Sequence, residues 1–419
     1  MTSRRIRELW PLLFPLAAAE LGVRLLAPPE PPPAPRTIRA QEYFEEADMR
    51  RARRFVRPQL ALALLRQGVR LGALAVLAAR AGGPRRRRAM SWQGLRPRPD
   101  RPALGAAALE GARVAGTLTA ASLPLSAVAR RRAIAVGLDT QSWTGWAADV
   151  AKATAIGETL AAGSGAAMVW VTHRFPRGWW LPAAVGSVAA GGLFGTLAPV
   201  LLEPLFNDFT ALPEGRVRSE VLELAQAAGV RVGEVYSVDA SRRTSGANAY
   251  VTGLGPTKRV VLYDTLLDRY SHGEIRVVVA HELSHVRHRD VMRGLVLSAV
   301  VSPPAAKAIE MVSRRLSSDL GTPKAIPALL LASFLVAAPV GMVSSRLSRA
   351  IERRADAESL ELSSDPEAFI SFQRAIALQN VADVEPPRWA RVLLASHPHT
   401  LERIGAAVEF RDRGAGSQD

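Results

Sequence analysis

Apolar and polar positions fall in long blocks along this 419-residue chain. Two blocks run for more than twenty residues without a charge: GWWLPAAVGSVAAGGLFGTLAPVLL at 178–202 and AIPALLLASFLVAAPVGMVSS at 325–345. A membrane helix needs ~20 apolar residues in succession, so both blocks predict spans. A third run, 114–129, is uncharged, is closed by Arg130, Arg131 and Arg132, and is read as a span with them. Trp179 and Trp180 at the head of the first block suit an interfacial belt. Four further runs carry charges: 9–27 (Glu20, Arg24), 60–82 (Arg66, Arg70, Arg80), 148–172 (Lys152, Glu158) and 291–312 (Lys307, Glu310). Charges facing lipid are costly, so these runs span only if the groups turn toward a bundle interior or a wet cavity; otherwise they are core or interfacial helices. Taken together the pattern predicts a mainly α, polytopic membrane helix bundle of about seven spans.

Polar segments divide the chain around these runs. Residues 1–59 are read as an N-terminal anchor and linker: Arg4, Arg5 and Arg7 precede an apolar stretch, and PPEPPPAPR follows at 28–36. With no convincing cleavage site ahead of the prolines, a retained anchor is expected. Residues 60–202 hold transmembrane helices, 203–290 a polar domain, 291–346 two more transmembrane helices, 347–412 a second polar segment and 413–419 a tail. Within the polar domain an amphipathic helix is predicted at 217–229 and short strands at 234–238, 248–253 and 259–263. DPEAFISFQRAIALQ at 365–379 has helical periodicity.

Charge narrows the partners. Lys+Arg number 54 against 38 Asp+Glu, a net +16, and lysine occurs only at 152, 258, 307 and 324. The arginines cluster between apolar runs, as at 85–88 and 130–132, which points to the lipid bilayer rather than nucleic acid as the polyanion they meet. Arginine-rich loops at both 28–59 and 83–106 leave the orientation open. The chain has no cysteine, so any metal must be held by histidine, carboxylate or water.

VVVAHELSHVRHRD at 277–290 places three of the seven histidines within eight positions. Ser271 and Glu274 have capping-box spacing and predict a helix starting near His272. On it His281 and His285 are one turn apart on one face, a spacing that lets two imidazoles bind one zinc at ~2.0–2.1 Å each. Glu282 lies beside the first of them, completing H-E-x-x-H. His288 is expected at the surface or behind the ligands. His288-Arg289-Asp290 also spells a kinase catalytic-loop tripeptide, which Leu295 at the required Asn position rules out. A third ligand must come from elsewhere. Glu352 and Asp356, four apart in SRLSRAIERRADAESLEL, offer a ligand and a partner for a histidine's outer N–H, with Glu358 and Glu361 as competitors.

Six motifs in order carry a family resemblance: EPLFNDF (203–209), NAYVTGLG (248–255), RVVLYDTLL (259–267), HELSH (281–285), SRAIERRAD (348–356) and SHPHTLERI (396–404). GLDTQSW and RFPRGWW upstream are similar too. The chain resembles the zinc metalloproteases of peptidase family M48, nearer the Ste24-type CAAX prenyl proteases than the HtpX-like branch. The resemblance implies a zincin-like α+β domain, one zinc per chain held by His281, His285 and Glu352, and Glu282 as general base to a zinc-activated water. It further implies Asp356 behind a ligand histidine, His397 assisting the transition state, and Asn248 holding substrate along an edge strand. Ser284 departs from the usual glycine, and the first 60 residues match poorly.

The expected protein is thus a multi-pass metalloendopeptidase of a bacterial cell membrane acting on peptide or protein substrates. Low lysine with high alanine and arginine suggests a GC-rich bacterium, where prenylated substrates are not expected. The alternatives are an HtpX-like quality-control protease and a non-catalytic zinc-containing membrane scaffold, the latter disfavoured by the presence of Glu282.

Overall fold

A computed structural model describes residues 2–82, 102–253, 258–317 and 319–416. Arg85–Arg88 with most of the 83–106 loop, the side chains of Arg4, Arg5 and Arg7, Leu254 and Gly255 of the NAYVTGLG motif and the end of the tail lie outside the described residues.

In chain order the helices are α1 (Thr2–Leu26), α2 (Glu46–Gly82), α3 (Leu104–Ala135), α4 (Trp143–Arg174), α5 (Trp180–Leu201), α6 (Arg216–Ala227) and α7 (Asp264–Arg269). They continue with α8 (His272–Arg287), α9 (Asp290–Leu316), α10 (Ile326–Ser363), α11 (Pro366–Gln379), α12 (Arg388–Leu393) and α13 (Thr400–Gly416). Every apolar run of the sequence lies in one of α1 to α5, α9 or α10. Among the described residues, four stretches are long and apolar enough to cross a membrane: Glu46–Ala81, Trp180–Leu205, Asp290–Leu316 and Pro323–Ser363. The 114–129 run is not among them: it is only 16 residues long, and Arg113 and Arg130 close it at either end. Just before that run, small residues let α3 pack closely on α4. A Cβ at Gly111 would lie 2.3 Å from the Ala161 carbonyl oxygen, and one at Gly165 would lie 2.7 Å from that of Ala107. Ala107/Gly111 on α3 and Ala161/Gly165 on α4 are paired small-xxx-small seams, the means by which helices approach closely in lipid.

Some charges in the weaker runs turn inward, whereas Arg24, Arg80 and Lys152 are exposed. Arg66 and Arg70 of α2 donate to Ser126 and Ser122 of α3 at 3.4 and 3.3 Å. The Glu310 carboxylate is buried between Lys307 at 2.6 Å and Arg314 at 2.8 Å.

The polar domain adds a four-stranded sheet, β1 (Phe209–Ala211), β2 (Glu234–Val238), β3 (Ala249–Thr252) and β4 (Arg259–Tyr263), in the order β1-β2-β4-β3. β2 and β4 are parallel and the outer pairs antiparallel, which leaves β3 at an edge. β1, three residues long, is too short for periodicity to reveal it. The apolar Val277–Ala280 stretch is explained by α8 lying between two cores. Ile275, Val279 and Leu283 pack on Val235, Val260 and Leu262 of the sheet and on Val221 and Leu224 of α6. Val277 packs instead on Leu360 of α10, Phe369 of α11 and Ile404 of α13.

Candidate metal centre

The capping box predicted for α8 is present: Ser271 Oγ accepts from the Glu274 amide, and Glu274 Oε2 accepts from the Ser271 amide at 2.8 Å. It sets the helix so that His281 and His285 stack, ring centroids 4.9 Å apart. One unbroken 38-residue helix, α10, carries both the 325–345 apolar run and the Glu352/Asp356 pair. Packed against α8, it presents Glu352 to both imidazoles.

The donor atoms of His281, His285 and Glu352 lie within 4.8 Å of one another. His281 Nε2 is 3.2 Å from His285 Nε2 and 3.3 Å from Glu352 Oε2, and His285 Nε2 is 3.7 Å from Glu352 Oε1. Tetrahedral donors each ~2.0–2.1 Å from a zinc ion are separated by about 3.3–3.4 Å, so the triangle is of the right size. Its chemistry also fits. Two facing imidazole nitrogens at this distance share one proton at most, and Glu352 Oε2 is buried with no hydrogen-bond donor. A cation at the centre satisfies all three.

Each histidine is backed by a carboxylate. His281 Nδ1 lies 3.0 Å from Asp356 Oδ1, close but poorly aligned for a linear hydrogen bond. His285 Nδ1 hydrogen-bonds Asp290 Oδ2 at 3.0 Å. Each carboxylate is in turn held by arginine: Asp356 by Arg403 at 2.5 and 2.9 Å, Asp290 by Arg354 at 2.5 Å. Asp290, Arg354 and Arg403 have no assigned role in the sequence reading. Asp290 is five residues from His285, off the helical repeat, and reaches it only because Arg289 takes a left-handed conformation (φ 53°) that starts α9 at Asp290. For Arg403, its place in SHPHTLERI was the available signal.

The other residues singled out by sequence fall as follows. His288 pairs with Glu358, which removes both from competition for a metal, and Glu361 is exposed. His397 Nε2 approaches Glu352 Oε1 at 3.3 Å, its Nδ1 is 2.8 Å from Ser396 Oγ, and its ring is largely exposed. Asn248, exposed, immediately precedes edge strand β3, where its carbonyl accepts from the Tyr263 amide at 3.0 Å. Burial raises the pKa of Glu282 above the ordinary carboxylate range, against the opposing pull of the two imidazoles. Burial alone would lower His281, but Asp356 and Glu352 more than offset it and push its pKa up to about 9. Without a metal, His281 holds its proton more tightly than a free imidazole, beside the negative Glu352 and Asp356.

Comparison with known proteins bears on what such a cradle belongs to. The profile of peptidase family M48 matches residues 211–411. A Bacillus subtilis protein described as uncharacterized metalloprotease YhfN is 30% identical over 298 residues, 68% of this chain and 69% of that protein. The chain belongs to peptidase family M48. Among its M48 relatives, the CAAX prenyl protease 1 homolog of Oryza sativa subsp. japonica is 31% identical over 50% of this chain and 51% of its own. The Saccharomyces cerevisiae CAAX prenyl protease 1 is 38% identical over 25% and 23%. The chain thus matches about half of the rice protein's length and about a quarter of the yeast protein's. The fold is that of the crystal structure of S. mikatae Ste24p, with a TM-score of 0.75 at 20% identity, covering 95% of this chain and 98% of the other.

Proposed function

We propose that this M48 protein is a zinc-dependent metalloendopeptidase of the Ste24 type, embedded by about seven spans in a bacterial cell membrane and hydrolysing peptide bonds of peptide or protein substrates. The observation that carries the reading is the convergence of His281, His285 and Glu352 donor atoms within 4.8 Å, with Glu282 adjacent. Likeness to Ste24p over nearly the whole chain favours this over an HtpX-like protease or a scaffold.

His281 Nε2, His285 Nε2 and a Glu352 carboxylate oxygen would hold the metal. When bound, zinc supplies Lewis acidity to the scissile carbonyl and the attacking water. Glu282 takes the proton of that water on its carboxylate and delivers it to the leaving amine. Its upward-shifted pKa suits the first task, since a more basic carboxylate takes the water's proton more readily. His397, exposed beside Glu352, is positioned to donate to the carbonyl oxygen as negative charge develops. Asn248 holds the substrate backbone beside edge strand β3. The CAAX specificity named for the rice and yeast relatives is one option for the substrate; general endopeptidase cleavage is the reading we favour.

Glu282→Gln tests the assignment. The variant should bind zinc stoichiometrically and fail to cleave membrane-peptide libraries that the wild type cleaves. Undiminished cleavage would sink it.

A further inference from the structure

We propose that Arg50, Arg51, Arg54 and Arg132 form a binding site for the phosphate of an anionic phospholipid, at the membrane margin between α2 and α3. A cavity of about 440 Å³ lies here, lined by these four arginines with Phe55, Ala47, Ala135 and Val136. Among the described residues no carboxylate lines it. Glu46 reaches Arg50 only at 3.8 Å.

Two of the guanidinium groups are fixed by neutral acceptors, which leaves their charge uncancelled. Arg51 donates to the Val136 carbonyl at 3.1 Å, and Arg132 to the Arg54 carbonyl at 2.9 Å. Arg132 Nε is buried and has no hydrogen-bond acceptor. A buried guanidinium N–H without an acceptor costs free energy unless a ligand supplies one. Guanidinium groups match phosphate oxygens by paired N–H donation.

The position identifies the source of the phosphate. On α2 the apolar run, which carries Arg66, Arg70 and Arg80, begins just after this arginine band, near Leu60; on α3 the uncharged 114–129 run ends just before it. The helices are registered at that level by Gln59 donating to the Ala129 carbonyl at 2.9 Å. The arginines therefore stand where two adjacent apolar surfaces both stop, the depth of lipid headgroups. The half-buried Phe55 in the same cavity offers an acyl chain an apolar wall beside the charge.

The test uses the full chain in detergent, titrated with phosphatidylglycerol or phosphatidylcholine and followed by native mass spectrometry. The wild type should retain phosphatidylglycerol preferentially, and Arg50→Gln/Arg54→Gln should bind it about tenfold or more weakly with unchanged lipid-free thermal stability. Arg54→Gln alone, at an exposed side chain, carries the same test should the double variant fail to fold. Equal retention by the variant, or equal retention of phosphatidylcholine, overturns the site. Displacement of the lipid by millimolar inorganic phosphate overturns the lipid assignment in favour of a soluble anion.

Discussion

Asp290 Oδ2 accepts from His285 Nδ1 at 3.0 Å, so the first residue of a membrane-length helix orients a candidate metal ligand on the helix before it. The turn at Arg289 couples the two. A carboxylate behind a ligand histidine fixes the ring and raises its basicity. Asp290→Asn keeps the shape but removes the charge, leaving Arg354 without its partner. We expect zinc affinity to fall roughly 10–100-fold with the fold retained, measured by competition with a chromophoric chelator. Unchanged affinity would show that the turn is purely structural.

The Asp356–Arg403 pair backs His281 in the same way but is more enclosed, with the Asp356 side chain 4% exposed. Removing one member of a buried pair strands the other's charge. Arg403→Met should therefore lower stability by about 3–5 kcal/mol, read from denaturant unfolding of the purified protein. Arg403→Lys should restore little, because one ammonium cannot reproduce the two-point contact to both carboxylate oxygens.

Metal-free protein should show a characteristic pH dependence. The pKa of His281 rises from 6.5 to about 9 in the folded chain. A raised folded pKa gives stability that is fully present below about 6.5 and is lost as pH climbs through about 9. Chelator-treated protein should thus melt at falling temperature across that window. Zinc should flatten the dependence, because the metal replaces the proton, and zinc affinity should rise with pH over the same range. Thermal denaturation with and without chelator, from pH 6 to 9.5, measures both.

These expectations also mark what can be seen in sequence. Local rules were legible: the Ser271/Glu274 box, the i,i+4 imidazoles and the strands at 234–238 and 259–263 all depend on neighbours within a few residues. Spacing alone leaves Glu352 one of several carboxylates; the family resemblance singles it out, and the packing of α10 on α8 sets it beside the imidazoles while Glu358 pairs with His288. Asp290 was hidden because its role hangs on a single left-handed residue, a conformation arginine rarely adopts and composition does not signal. Likewise, absence of charge alone makes 114–129 read as a span, while Ala107 and Gly111 just before it encode how α3 meets α4.

That meeting gives the last prediction. At Gly111 the Ala161 carbonyl oxygen stands where a Cβ would be, 2.3 Å away, and the obstacle is backbone that cannot rotate aside. At Gly68 on α2, by contrast, a Cβ meets nothing within 4 Å. Gly111→Val should push α3 off α4 and cost about 1–3 kcal/mol or more, whereas Gly68→Ala should be tolerated. Thermal stability in detergent compares the two directly. Because α3 also carries Ser122 and Ser126, which receive Arg70 and Arg66, displacing it unpairs two arginines inside the bundle. The loss at Gly111 should therefore exceed that of the same substitution at Gly157 on α4, where a Cβ also meets nothing within 4 Å.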